Sequence, residues 1–214
     1  MTRVPEVGAV IIATRVALME LRDERRLVQE GYELLDEKRV MLAAEILRQL
    51  RQHATLQERM TSHATAARAA FDSAVETHGF DDLTVAPPSS LASTPLLQDR
   101  RSFFGIPLVE AHLERQAPAP PAVGLPQSPE LRACAAAFRE LVTDHAALAA
   151  CAGNLRRLIA EYVRTERRAR ALENVLLPEI DVSLRFVEEQ LDAVDQEEAV
   201  RVRNAGRSAA RAAT

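Results

Sequence analysis

The placement of proline constrains this chain more than any other feature. Of its 11 prolines, nine fall between Pro87 and Pro129. None occurs from Ile12 to His78, and only Pro178 follows Glu130. Proline removes a backbone donor and clashes with the preceding helical turn, so long helices exclude it. Two long proline-free arms therefore flank a proline-rich middle.

Each arm carries apolar residues at the alternating three-and-four spacing of a coiled coil. In the first, Leu18, Leu21, Val28, Tyr32, Leu35, Leu42 and Ile46 form the stripe, and Leu27, Leu34 and Met41 widen it. The register continues through Leu56, Met60, Ala67, Ala70 and Ala74, and is interrupted by Arg25, Arg39, Gln49, His53 and His63. In the second arm the expected seam is Phe138, Leu141, Leu148, Ala152, Leu155, Ile159, Tyr162, Ala169, Leu176, Ile180, Val187 and Val194. Leu172, Leu184 and Leu191 flank it, and Glu166 and Glu173 interrupt it. Ser128 fits a helix N-cap, with Pro129 in the first turn. Pro178 should bend its helix rather than end it, because the apolar period resumes beyond it.

Composition agrees. Aromatics make up only 4% of the chain and glycines number seven, too few for the turns of a barrel, sandwich or Rossmann-type sheet. Ala, Leu, Glu and Arg, which dominate, lose little on entering a helix. The expected fold is all-α: a long antiparallel two-helix coiled coil of the N- and C-terminal arms, with a small irregular middle lobe that has room for a β-hairpin. The expected divisions are an N-terminal helix over 8–78, a proline-rich lobe and linker over 79–129, a C-terminal helix over 130–205 and a fraying tail over 206–214. Within the lobe, Asp81–Val85 reads as a short strand, Pro87–Ser90 as a loop, Ser102–Val109 as a strand and turn, and Pro118–Pro126 as an extended linker.

Several function classes lose ground. A net charge of −4 disfavours a dedicated nucleic-acid binder. There is no G-x-x-x-x-G-K-[ST] and no G-x-G-x-x-G, so the sequence offers no phosphate cradle. His53, His63, His78, His112 and His145 lack the spacing of a bundle metal site, and Cys134 and Cys151 have no Cys or His beside them. On one helix those cysteines would stand roughly 25 Å apart, beyond a disulfide. No apolar run approaches the roughly 20 residues of a membrane span. The expectation is a cytoplasmic protein without cofactor, metal or catalytic residues.

Two segments carry a resemblance. Ala13-Thr14-Arg15, with Leu18 and Leu21, then Gly31 and Leu34-Leu35-Asp36-Glu37-Lys38-Arg39 with Leu42, resembles the first-helix signature of the D subunits of V-type and A-type rotary ATPases. Thr165-Glu166-Arg167-Arg168-Ala169-Arg170-Ala171-Leu172-Glu173, followed by Leu177-Pro178, resembles the family's second-helix pattern, which Phe186-Val187-Glu188-Glu189-Gln190-Leu191 and Glu197-Glu198 continue. Phe104-Gly105 with Pro107 is similar to a middle element of the family. Ala13 stands where the family usually has Pro, Asp36 where it has Lys, Val40 where it has Asp, and Arg170 where it has Asn.

The resemblance implies a central rotor shaft, non-catalytic itself, that transmits torque between an ATP-processing hexamer and a membrane ion-translocating ring. It implies as partners the catalytic and non-catalytic hexamer subunits, the small F subunit of the central stalk and the funnel subunit capping the membrane ring, with membrane contact only through the complex. Candidate hexamer-contact or register residues are Arg22, Arg25, Arg26, Arg39, Arg164, Arg167, Arg168 and Glu173. The arginine runs otherwise read as solvated helix faces. Arg39 and Glu173 either pair across the seam and set register or reach outward on their stems. The competing reading is a cytosolic coiled-coil scaffold or tether with no motor role; a helical enzyme or metal carrier would need clustered inward ligands.

Overall fold

The computed structural model describes residues 12–84, 95–114 and 128–212. It contains α1 (Arg15–Thr84), β1 (Leu96–Phe103), β2 (Ile106–Leu113), α2 (Pro129–Ala171), a five-residue π turn (Leu172–Leu176) and α3 (Leu177–Ala212). Two long helical arms pack against each other around a seam, with one antiparallel hairpin, as the sequence predicts.

The helix starts follow local chemistry. The Thr14 hydroxyl accepts from the Ala17 amide at 3.1 Å, and the Ser128 hydroxyl accepts from the Leu131 amide at 3.2 Å ahead of Pro129. Each satisfies an amide that the first turn leaves open. Asp81–Thr84 are helical rather than a strand: α1 is broken at Gly79, at φ 75°, and resumes beyond it. Val85, the Pro87–Ser90 loop and the Pro118–Pro126 linker lie outside the described residues. α3 runs on through Gly206 to Ala212.

The chain divides into two compact units. The first comprises Met1–Val40 and Arg164–Thr214. Here Leu18, Leu21, Val28, Tyr32 and Leu35 of α1 turn inward, as do Thr165, Ala169, Leu172, Leu176, Ile180, Leu184, Val187 and Leu191 of the opposing arm. Leu27 and Leu34 do not widen this seam; they are 69% and 66% exposed. Val194 is also exposed. The inward residues before and after the π turn are out of step. Thr165, Ala169, Leu172 and Leu176 alternate by four and three, and a regular helix would next bury Glu179, Ser183, Phe186 and Gln190. The buried set is instead displaced by one residue, to Ile180, Leu184, Val187 and Leu191. The π turn absorbs the extra residue: the Leu177 amide bonds back to the Leu172 carbonyl. It also relieves Pro178, whose ring would clash with the carbonyl four residues earlier in a regular helix.

The second unit is Met41–Val163. Its inward positions on α1 include Leu42, Gln49, Ala67 and Ala74, and on α2 Asp144, Cys151, Leu155 and Leu158. The seam expected at Ala152 and Ile159 runs one residue earlier: Leu158 is fully buried and Ile159 is 47% exposed. Phe138 and Met41 are exposed as well. The hairpin pairs Leu96 with Leu113 through Phe103 with Ile106. Phe104 and Gly105 both take positive φ, 49° and 80°, as a two-residue turn matching the right-handed strand twist requires. Ile106 and Leu108 pack with Leu42 and Leu158, with Ile46, Phe103 and Tyr162 at the edge of the cluster.

Candidate functional site along the paired arms

The first unit is tied across its seam by ion pairs in antiparallel order. Arg15 faces Asp195 at 3.3 Å, Arg22 faces Glu188 at 2.7 Å, Arg25 faces Asp181 at 2.6 Å and Arg39 faces Glu166 at 2.8 Å. As α1 advances, its partners recede along the other arm, so a register slip would break the set together. Individually such exposed pairs contribute little. Arg39 is the most enclosed cation of the four; it also pairs with Asp36 at 2.5 Å, while Glu166 holds Arg170 at 2.7 Å. The Arg39 guanidinium, more than any other group, keeps the Glu166 carboxyl below its usual range. Arg39 thus reaches the opposite arm through Glu166, seven residues before the expected Glu173. Glu173 accepts the Tyr32 hydroxyl, and its charge raises the Tyr32 pKa.

The other predicted residues separate from these. Arg26 pairs within its own helix with Asp23 at 3.0 Å. Arg164, Arg167 and Arg168 are exposed along the end of α2. Arg22, Arg25 and Arg39 are therefore brought to the seam, and the arginines near residue 166 face outward around it.

The second unit holds two polar constructions. In one, the buried Asp144 carboxylate sits between Arg59, which donates to Oδ1 through Nε and Nη2, and His63, whose Nδ1 lies 2.5 Å from Oδ2. Burial pushes the Asp144 pKa up, but the donors from Arg59 and His63 outweigh it and hold the group below its normal value. In the other, Glu45, only 8% exposed, takes Arg48 at 2.7 Å and Arg101 of β1 at 2.8 Å. The Arg48 hydrogen bond is the largest cause of a Glu45 pKa lowered to about 2. Opposite, Asn154 of α2 acts as a substitute strand: its Nδ2 donates to the Val109 carbonyl and its Oδ1 accepts from the Val109 amide, both at 2.8 Å. The outward-facing Val109 backbone of β2 is thereby satisfied by a helix side chain, and the hairpin is held to both arms through Arg101 and Val109.

Sequence reasoning missed Glu45, Asn154 and Asp144. Their signal was their position: Asp144 holds a heptad place two turns before Cys151, and Asn154 adjoins Leu155 on the inward face. The Cys151 thiol is buried, which raises its pKa, and donates to the Gln49 backbone oxygen at 3.5 Å. Gln49 thus interrupts the apolar stripe with a partner in place. Cys134 lies on the same helix. Among the described residues, no group of three His, Cys, Asp or Glu could hold a metal ion. No described helix is long and apolar enough to cross a membrane.

Residues 17–207 match the sequence model of the family described as the D subunit of ATP synthase. The chain belongs to that family. It is 24% identical over 206 residues to the V-type ATP synthase D subunit of Thermotoga neapolitana, covering 94% of this chain and 99% of that protein. It is 28% identical over 200 residues to the A-type ATP synthase D subunit of Thermococcus gammatolerans, covering 89% and 90%. To the V-type ATP synthase D subunit of Thermus thermophilus it is 29% identical over 195 residues, covering 89% and 85%. These relatives thus match both helical arms and the hairpin between them.

Proposed function

We propose that this D-subunit family member is the central rotor shaft of a V/A-type ATPase or ATP synthase. In this reading it carries torque between the ATP-processing hexamer and the membrane ion-translocating ring and performs no catalysis itself. Its direct partners are the catalytic and non-catalytic hexamer subunits, the small F subunit and the funnel subunit over the membrane ring. It lies on the cytoplasmic side and meets the membrane only through the complex. The observation that carries the reading is the D-subunit match over residues 17–207.

The physical chemistry suits the role. Torque transmission needs a stiff element, and paired helices with cross-arm ion pairs resist sliding better than one helix. A single shaft serving several catalytic sites must present a different face to each. An irregular seam, with Arg39, Gln49 and Asp144 among its members and a π turn in one arm, supplies that asymmetry. A motor-free scaffold would share the coiled coil but has no reason to match one rotary-ATPase family over most of its length. The test is tagged purification of the full chain from its own cells in mild detergent, with intact masses read on the complex. One copy per hexamer of large ATPase subunits is the expected result. Recovery of self-oligomers alone, while the ATPase purifies without the chain, would overturn the reading.

A further inference from the structure

Between Gln49 and Ala67 of α1 no residue is fully buried, and of the described α2 residues before Cys151, Asp144 alone is. The most enclosed point of this stretch of the helix pair is therefore a carboxylate, 2% exposed. A buried charge is costly unless it is paired, and an apolar seam residue would hold the helices at any pH. Asp144 takes both of its partners from the opposite helix. Arg59 donates to Oδ1 through Nε at 2.9 Å, and His63 Nδ1 lies 2.5 Å from Oδ2. Nδ1 and Oδ2 are sealed from water and have no other hydrogen-bond partner. Two lone pairs do not meet at that distance, so Nδ1 carries a hydrogen in either charge state of the ring. The His63 side chain is 36% exposed, which leaves the rest of the ring, with Nε2, open to proton exchange with water.

We propose that Asp144, Arg59 and His63 form a pH-set clasp, which holds α1 and α2 together more tightly when the His63 ring is charged than when it is neutral. Arginine keeps its charge at every relevant pH, whereas histidine changes charge between about pH 5 and 8. In acid, two cations from α1 grip one sealed carboxylate of α2. Above the histidine range, one cation and one neutral donor remain. The extra grip is thus present at low pH and is lost as the pH rises and the ring gives up its proton. The other charged or titratable groups near the clasp in sequence, Glu58 on α1 and Glu140 and His145 on α2, are exposed, and the His145 ring is turned to the Leu141 carbonyl. Of the hairpin arginines, Arg101 is taken by Glu45 and Arg100 lies against Gln98. Further along α1 the seam is small, at Ala67, Ala70 and Ala74. Each of these buries little apolar area, so the clasp weighs more here than it would in a leucine seam. The clasp is a property of this unit and stands independently of the shaft reading.

The test follows amide hydrogen exchange of the purified full chain at about pH 5.5 and about pH 8, with rates corrected for the intrinsic pH dependence of exchange. Peptides covering residues 59–67 and 139–148 should lose at least about threefold in protection at the higher pH. Peptides from residues 165–191 are the internal reference, since their unit contains no histidine, and should keep their protection. His63→Gln retains a neutral donor but cannot charge, and should abolish the fall. His53→Gln, on the same stripe of α1, should leave it as in the natural chain. Circular-dichroism melts at both pH values check that each variant is folded. Unchanged protection in the natural chain overturns the inference, whatever the stability of the variants. So does a folded His63→Gln chain that falls as far as the natural one, or a folded His53→Gln chain that loses the fall.

Discussion

Removing one residue from the π turn should leave the protein folded, although it shortens a long helix. The perturbation is deletion of exposed Val175 together with Pro178→Ala. The turn exists because the inward set before it, ending at Leu172 and Leu176, is one residue out of step with Ile180, Leu184 and Val187 beyond it. Deletion brings the two sets into one regular helix with the same side chains buried. Pro178 must go at the same time, since its ring in a regular helix costs about 3 kcal/mol. Pro178→Ala alone should leave the π turn in place. Straightening without deletion would rotate Ile180, Leu184 and Val187 outward, now 5%, 9% and 0% exposed. At roughly 1.5–3 kcal/mol each, that is about 5–9 kcal/mol, more than the energy of restoring one regular helical bond, about 1 kcal/mol. Urea melts followed by circular dichroism should place the deletion variant within about 1–2 kcal/mol of the natural chain. Deletion of exposed Glu30 from α1, which has no π turn to absorb it, puts Leu18, Leu21 and Val28 out of register and should cost several kcal/mol. Equal effects of the two deletions, or a loss above about 4 kcal/mol on deleting Val175, would refute the register argument.

Other consequences can be measured on the isolated chain. Asn154→Leu strips the Val109 amide and carbonyl of their partners; a loss of about 2–3 kcal/mol with faster hydrogen exchange at the Val109 amide is expected. Glu45 has its folded pKa lowered to about 2, so its stabilisation is full above the ordinary value near 4.5 and is lost as pH falls toward 2. The upper bound is about 3 kcal/mol, reduced to roughly 1–2 kcal/mol by the half-exposed Arg48 and Arg101. Glu45→Gln should flatten the pH dependence of stability between about pH 5 and 2; an unchanged profile would remove this account. Arg39→Leu leaves Glu166 with Arg170 alone and should cost about 1 kcal/mol in urea melts. Gly105→Ala forces a methyl-bearing residue to φ 80° and should lower stability by about 1 kcal/mol.

The two arms were legible because periodicity reports which side of a helix meets another. Leu42, Ala67, Ala74, Ala169, Ile180 and Val187, read from spacing alone, are all buried. The misplacement of Ile159 has a physical cause: Leu155, Leu158, Ile159 and Tyr162 satisfy two neighbouring three-and-four patterns. Leu158 takes the seat because it packs with Leu42, Ile106 and Leu108 from the hairpin, a contact no helical period contains. Leu27 and Leu34 looked like seam wideners because they adjoin Val28 and Leu35, yet a narrow two-helix seam has no room for a third column. The π turn left a trace in the sequence, the one-residue step between Leu176 and Ile180, but one strict register run through both arms hides it. The hairpin seat was invisible for a different reason: Glu45, Arg101 and Asn154 come from three elements, and local patterns do not show which long-range partners meet.

The central claim is rotation. With a bead or fluorophore fixed to this chain and the hexamer held on a surface, the assembled complex should show the probe turning in one direction under ATP. A probe that stays fixed relative to the hexamer while ATP is hydrolysed would contradict the shaft reading outright.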